Sequence, residues 1–295
     1  MINPHPSPAN RIAFQGSHGA YSDLACRTAR PDLPTLPCQT FEAAIDAVRQ
    51  GDAALAMLPT ENSVSGRVPD MHALLPQSGL SIIAEHFQRV EHCLLGPLGA
   101  RITDIKRVHS HAVALGQVRS LIRELGAQSV IEADTAVAAE LVARWNNPED
   151  AAIASALAAE INGLTVLRSN VEDATHNTTR FYLMARTPLL PPPETENLMT
   201  SFVFRVRNVP AALFKALSGF ATNGVNMTRL ESYMVGGHFA ATQFLAEIDG
   251  HPEQYSVRLA LEELDFFSRE INILGVYPAA PFRLAQRASR LNAPP

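Results

Sequence analysis

The sequence predicts an α/β protein that ends in a separate ferredoxin-like βαββαβ module. Three observations carry this reading. Short apolar runs of strand character alternate with helical periods up to about residue 186; a stiff Pro191–Pro193 run interrupts the pattern over 187–200; and one strand–helix–strand–strand–helix–strand succession fills about 201–280.

The elements follow in order. RIAFQG (11–16) reads as a strand, and the turn over Gly16–Ser22 leads into a helix from about Asp23. FEAAIDAVRQG is a helix closed by Gly51, AALAML a buried strand stopped by Pro59, and TENSVSGRV a polar loop behind it. SIIAEHFQRVEHCLLG suggests paired strands, and KRVHSHAVALGQVRSLIREL a strand end, a polar turn and a helix closed at Gly126. ADTAVAAELVARW is a helix capped by Asp134 or Thr135. DAAIASALAAEINGL gives a strand and a helix ending at Gly163. Such alternation implies parallel or mixed sheets with helices on both faces, whose post-strand loops gather at one edge, where ligands bind. The domain boundaries are then a loose tail at 1–10, a two-part α/β domain at 11–186, a linker at 187–200, the βαββαβ module at 201–280 and a second tail at 281–295.

Bulk properties narrow the function. The 295 residues suffice for two domains, and 46% hydrophobic with 18% charged residues describes an ordinary soluble globular chain. A net charge of -5 without a Lys/Arg cluster excludes a nucleic-acid or anionic-membrane partner. Cys26, Cys38 and Cys93 show no paired spacing, which points to reduced thiols in a cytoplasm and to neither disulfides nor zinc. MINPHPSPAN lacks the plan of a signal peptide, and AAIASALAAEI is too short to span a membrane.

Four polar loops border apolar strands. GSHGAYS (16–22) puts Gly19, Ala20, Tyr21 and Ser22 at a helix start, where N–H groups and the dipole suit a carboxylate or phosphate. TENSVSG (60–66) gathers Glu61, Asn62 and Ser63; SHAVALGQ (110–117) sets His111 at a strand-to-helix turn; and EDATHNTTRF (172–181) crowds Asn177, Thr179, Arg180 and Phe181 at a strand mouth. Each has a bland reading in turns and caps, but four together fit a cleft between two α/β lobes.

GSHGAYS, LPTENSVSG, SHAVALGQ, AAIASALAAEINGL and NTTRF, in this order and followed by a βαββαβ module with NMTRLES, closely resemble the prephenate dehydratase family over roughly Arg11–Arg283. The resemblance implies two periplasmic-binding-like subdomains around a catalytic cleft, with a C-terminal ACT regulatory domain. It also implies a cytoplasmic homodimer or homotetramer that turns prephenate into phenylpyruvate, losing water and CO2, in phenylalanine biosynthesis, as a decarboxylating carbon–oxygen lyase without cofactor or metal. Thr179 of the T-R-F triplet would assist the departing hydroxyl, with Arg180, Glu61, Asn62 and Ser63 as catalytic neighbours. Gly19, Ala20, Tyr21, Ser22, His111, Ser155, Asn177 and Phe181 would bind substrate. Arg180 offers a planar fork for a carboxylate, although strand alternation leaves open that it faces away from Thr179. In SHAVALGQ, Ala112 and Val113 replace the family's Pro and Gln, while His111 and Gln117 are kept.

The regulatory motifs depart further. The family binds phenylalanine through G-A-L and E-S-R-P; here Ala211-Ala212-Leu213 and Glu231-Ser232-Tyr233-Met234 stand in their places, with Asn226 and Met227 nearby. The added methyl and the lost charge bear on whether phenylalanine acts as effector. This module carries no catalytic residue, so its function is expected to be separable from the chemistry. Two other readings remain: arogenate dehydratase, and a non-catalytic amino-acid sensor that would have no reason to keep N-T-T-R-F beside E-N-S.

Overall fold

The computed structural model describes residues 10–207, 209–234 and 241–291; the expected tail thus lies, but for Asn10, outside the described residues. The chain opens with β1 (Ile12–Gln15), α1 (Tyr21–Ala29), β2 (Thr35–Cys38), α2 (Phe41–Gln50), β3 (Leu55–Asn62), β4 (Gly66–Arg67), α3 (Asp70–Leu74) and β5 (Ser81–Arg89). Next come β6 (Cys93–Gly96), β7 (Arg107–Ser110), α4 (Ala112–Gly116), α5 (Arg119–Leu125), β8 (Gln128–Ile131), α6 (Thr135–Trp145), β9 (Asp150–Ala154), α7 (Ala156–Asn162), β10 (Thr165–Arg168) and β11 (Thr178–Ala185). The C-terminal part holds β12 (Leu198–Val206), α8 (Ala212–Thr222), β13 (Met227–Met234), β14 (Ala241–Asp249), α9 (Tyr255–Phe267), β15 (Ser268–Pro278) and α10 (Pro281–Leu291).

Local chemistry sets the helix ends. The Thr40 hydroxyl accepts from the Ala43 N–H at 3.1 Å to start α2, and the Asp134 carboxylate accepts from the Val137 N–H to start α6. Gly51, Gly126 and Gly163 take left-handed backbone where α2, α5 and α7 stop.

The chain divides into two compact units, counting the described residues of each: Met1–Val68 with His86–Phe181, and Pro69–Glu85 with Tyr182–Pro295. The division falls inside β5 and β11. One sheet has the order β2-β1-β3-β11-β5, with β4 paired to β3, and β1 runs parallel to both β2 and β3. A second sheet, wholly in the first unit, has the order β10-β6-β9-β7-β8. Its strands β6 and β9 are buried on both faces: Leu94, Ala151 and Ile153 point into one core, and Cys93, Leu95, Ala152 and Ala154 into another. That two-sided burial explains why DAAIA reads as one unbroken apolar run.

The second unit contains the antiparallel sheet β13-β14-β12-β15, with α8 and α9 packed on it around Phe202, Phe204, Phe220 and Leu264. This is the expected βαββαβ arrangement. The segment Pro69–Glu85 belongs to this unit. His72 Nε2 lies 2.7 Å from Glu231, and the buried Glu85 accepts from the Arg283 guanidinium and the Ala280 N–H. No side chain fits at Gly275, where a Cβ would come within 2.1 Å of the Ile82 carbonyl oxygen. The fully buried Glu247 accepts from the Tyr182 hydroxyl and lies near Arg229 and Arg283.

The structure corrects several expectations. β5 and β6 do not pair with each other; they belong to different sheets. β3 continues through Pro59, past Met57, the last residue that pairs with β1. One expected helix is two, α4 and α5, separated at Gln117 and Val118. Residues 281–291, expected as a tail, form α10, whose Arg283 and Arg287 reach Glu85 and Asp249. The linker is shorter than expected, since β12 starts at Leu198.

Candidate active site

Thr179 sits on the second residue of β11, beside the end of β3, and strand alternation sorts its surroundings onto two faces. On one face the Asn62 amide donates to Thr179 Oγ1 at 2.9 Å and to Asn177 Oδ1 at 2.8 Å. On the other, Arg180 Nη1 donates to Glu61 at 3.0 Å, and the guanidinium carbon lies 5.8 Å from the centre of the Phe87 ring. Arg180, 2% exposed, lies on the face opposite Thr179, whereas Phe181, two residues on, follows Thr179 on its own face and is buried in the core.

Asn62 itself is oriented by backbone. Its Oδ1 accepts from the Val64 and Ser65 N–H groups at 2.9 and 2.8 Å, an Asx turn that forces the amide nitrogen toward β11. Thr179 Oγ1 therefore accepts from Asn62, and among the described residues its own proton has no protein acceptor. Ser63 works as a clip: its hydroxyl donates to the His176 carbonyl at 2.8 Å and accepts from the Thr178 N–H at 2.9 Å.

From Asn177 the chain of hydrogen bonds runs on. Asn177 Nδ2 donates to Gln117 Oε1 at 2.9 Å, Gln117 Nε2 donates to Ser65 at 2.8 Å, and His92 Nε2 lies 2.9 Å from the same Gln117 oxygen. His92 Nδ1 in turn lies 2.9 Å from the Tyr21 hydroxyl. Burial pushes His92 below the ordinary histidine value, only partly offset by the Gln117 hydrogen bond, and pushes the Tyr21 phenol well above its usual range. Glu172 accepts from Arg89 at 2.7 Å and from the His92 N–H at 2.9 Å, while Asp173 caps the start of α5.

The sequence candidates thus divide. Asn62, Asn177, Thr179 and Tyr21 belong to one connected cluster. Gly19 and Ser155 make a close contact: the Ser155 hydroxyl donates to the Gly19 carbonyl at 2.6 Å, and a Cβ on Gly19 would come within 2.9 Å of Ala158. Gly19 also has φ of 91°, a second reason for glycine. Ala20 is buried and no side chain caps α1, which leaves first-turn N–H groups near Tyr21 and Ser22 without a side-chain acceptor. His111 is an exposed cap of α4, its Nδ1 accepting from the Val113 N–H at 3.3 Å, and stands outside the cluster. Gln117 and His92 were not among the site candidates. Gln117 stood in a quoted motif, whereas His92 was hidden at the end of an apolar run read only for strands. A recess of about 690 Å³ lies at Gly16, His18, Gln39 and Glu140, and neither Asn62 nor Thr179 lines it.

In the second unit, Ala212, Leu213 and Met227 pack in or against the βαββαβ core, and Asn226 donates to Asp249 at 2.7 Å. Glu231 is held by His72 and Arg229, which outweigh burial and keep its carboxyl below the usual range, and Ser232 is exposed. Ala211 takes left-handed backbone, with φ of 61°, directly before α8. Among the described residues no group of His, Cys, Asp and Glu is arranged to hold a metal ion, and no helix is long and apolar enough to cross a membrane.

Comparison with known proteins identifies the family. The family profile "Prephenate dehydratase" matches residues 12–189. A Komagataeibacter europaeus protein, "Bifunctional N-acyl-homoserine lactone acylase/prephenate dehydratase", is 63% identical over 92% of this chain and 97% of its own length. Arabidopsis thaliana "Arogenate dehydratase/prephenate dehydratase 1, chloroplastic" is 39% identical over 91% of this chain and 72% of its own. The solved prephenate dehydratase of Arthrobacter aurescens in complex with L-Phe superposes with a TM-score of 0.83 at 30% identity, covering 96% of this chain and all of that one. With the profile spanning more than half of its residues, the chain belongs to the prephenate dehydratase family.

Proposed function

We propose that the protein converts prephenate to phenylpyruvate, with Thr179 as the hydrogen-bond donor to the departing ring hydroxyl. The observation that carries this is the polarity of the Asn62–Thr179 contact: the hydroxyl oxygen is filled by an amide N–H, so its proton is left to point at a ligand. The ring carboxylate leaves as CO2, its bonding electrons enter the ring, and the hydroxyl departs, taking up a proton from water as the ring becomes aromatic. Chemistry of this kind needs no nucleophile. It needs orientation and a donor that strengthens as charge develops on the leaving oxygen, and donation into Thr179 Oγ1 polarises its O–H in that sense. The uncapped start of α1 near Ala20–Ser22 suits a substrate carboxylate.

Family membership and the L-Phe complex of the A. aurescens relative support phenylalanine as effector, bound to the βαββαβ module, read as an ACT domain, near Ala211–Leu213 and Asn226–Ser232. A cytoplasmic homo-oligomer in phenylalanine biosynthesis follows from the same reading. Two relatives favour further activities: the plant proteins' names favour arogenate as substrate, and the 63% identical relative's name favours hydrolysis of N-acyl-homoserine lactones. The deciding experiment offers prephenate, arogenate and an N-acyl-homoserine lactone to the full chain and to Thr179→Ala and Thr179→Ser. Prephenate turnover should fall by about 10²-fold or more in the alanine variant and much less in the serine variant. Undiminished turnover in Thr179→Ala would remove Thr179 from the mechanism.

A further inference from the structure

The orientation of every amide in the cluster can be deduced from one anchor. The Val64 and Ser65 N–H groups fix Asn62 Oδ1, so Asn62 Nδ2 must donate to Asn177 Oδ1. Asn177 Nδ2 then has to donate to Gln117 Oε1. A second neighbour 2.9 Å from that oxygen can only be a donor, so His92 carries its proton on Nε2. In the neutral ring Nδ1 is left as an acceptor, and the single proton of the Tyr21 hydroxyl has Nδ1 and the Glu91 carbonyl, each at 2.9 Å, as alternative acceptors.

We infer that His92 is a positioning residue for the reaction: from Nε2 it holds the Gln117 carboxamide, and through Asn177 and Asn62 it keeps the Thr179 hydroxyl oriented as donor. This rests on the reading of Thr179 given above. His92 touches neither Thr179 nor the reacting atoms and acts only through the amides. Its ring is held at Nε2 by Gln117 and at Nδ1 by the Tyr21 hydroxyl, with the Tyr21 ring edge-on at 5.4 Å. Glu172 holds the backbone of His92 from the strand-mouth loop, Arg89 lies beyond it, and the Cys93 thiol is next in the chain. Protonation at Nδ1 turns that atom into a donor and breaks the match with Tyr21, which must then turn its proton to the Glu91 carbonyl.

The test has a spectroscopic and a kinetic arm, both on the full chain. Nitrogen NMR of the histidine-labelled protein at neutral pH should show His92 neutral with its proton on Nε2; a proton on Nδ1 would overturn the assignment. In kinetics, His92→Phe should lower kcat about tenfold, the loss of one hydrogen bond, with KM changed less than twofold, and His92→Gln, which restores an amide donor, should recover most of it. The acid limb of wild-type kcat should vanish in His92→Gln and move to higher pH in Tyr21→Phe, where Nδ1 loses its donor. An inactive Thr179→Ala beside an unchanged His92→Phe overturns the role of His92 alone. Wild-type turnover in Thr179→Ala overturns the donor reading and this role with it.

Discussion

The Asn62 amide donates to the Thr179 hydroxyl across the β3–β11 pair, and one position along, in opposite strand directions, Glu61 accepts from Arg180 on the reverse face. Two adjacent residues of each strand therefore face opposite ways, Asn62 and Thr179 toward the Asn177–Gln117 cluster and Glu61 and Arg180 toward the other side of the sheet.

Asn62→Asp tests the first pair. The substitution is nearly isosteric, yet it replaces the amide donor to Thr179 with a carboxylate that draws the threonine proton to itself. Turnover of prephenate is expected to fall by about 10²-fold, comparable to losing one preorganised donor, with KM raised further by repulsion of an anionic substrate. Steady-state kinetics that match wild type would show that the hydroxyl is not oriented by Asn62.

Arg180 belongs to stability before binding. Removing it by Arg180→Ala leaves Glu61 unpaired in a partly exposed position and empties a buried volume, so unfolding free energy should drop by roughly 3 kcal/mol. Denaturant titration measures this directly. An unchanged midpoint together with a raised KM would restore Arg180 to the substrate.

Ala211 holds a left-handed conformation at a helix start without a side-chain cap, where both features favour glycine. Ala211→Gly should raise the stability of the second unit by about 1 kcal/mol, less the entropy that glycine adds to the unfolded chain. A lowered thermal midpoint would contradict it.

A chain ending at Thr187 should not behave as a separable catalytic domain. It would keep Pro69–Glu85 but lose the partners of His72, Ile82 and Glu85, stranding the fully buried Glu85 carboxylate. Poor solubility and a broad thermal transition are expected, while a soluble truncated chain with wild-type kcat would restore the separable picture.

What could be read from the sequence was local. Helix ends at Gly51, Gly126 and Gly163 and the cap at Asp134 follow from neighbouring residues alone, and the βαββαβ succession follows from element order. Motif order brought Asn62, Asn177 and Thr179 together correctly. What could not be read depends on distant pairing. β5 and β6 looked like a hairpin because two apolar runs adjoin, but their sheets are chosen by β11 and β9. Ser63 and Ser155 entered as catalytic and substrate-binding candidates through the family motifs, yet backbone groups far away in sequence hold both hydroxyls. His92 carried no signal of its own, since its meaning comes from Gln117 and Tyr21.

The fit of Ile82 against Gly275 also bears on how the chain is made. The stretch from Pro69 to Glu85 is synthesised well before the strand that covers it, β15. Until β15 is made its apolar side chains lack that cover, so the nascent protein carries a sticky interval. A chain that stops before β15 thus exposes apolar surface at a point far from its broken end.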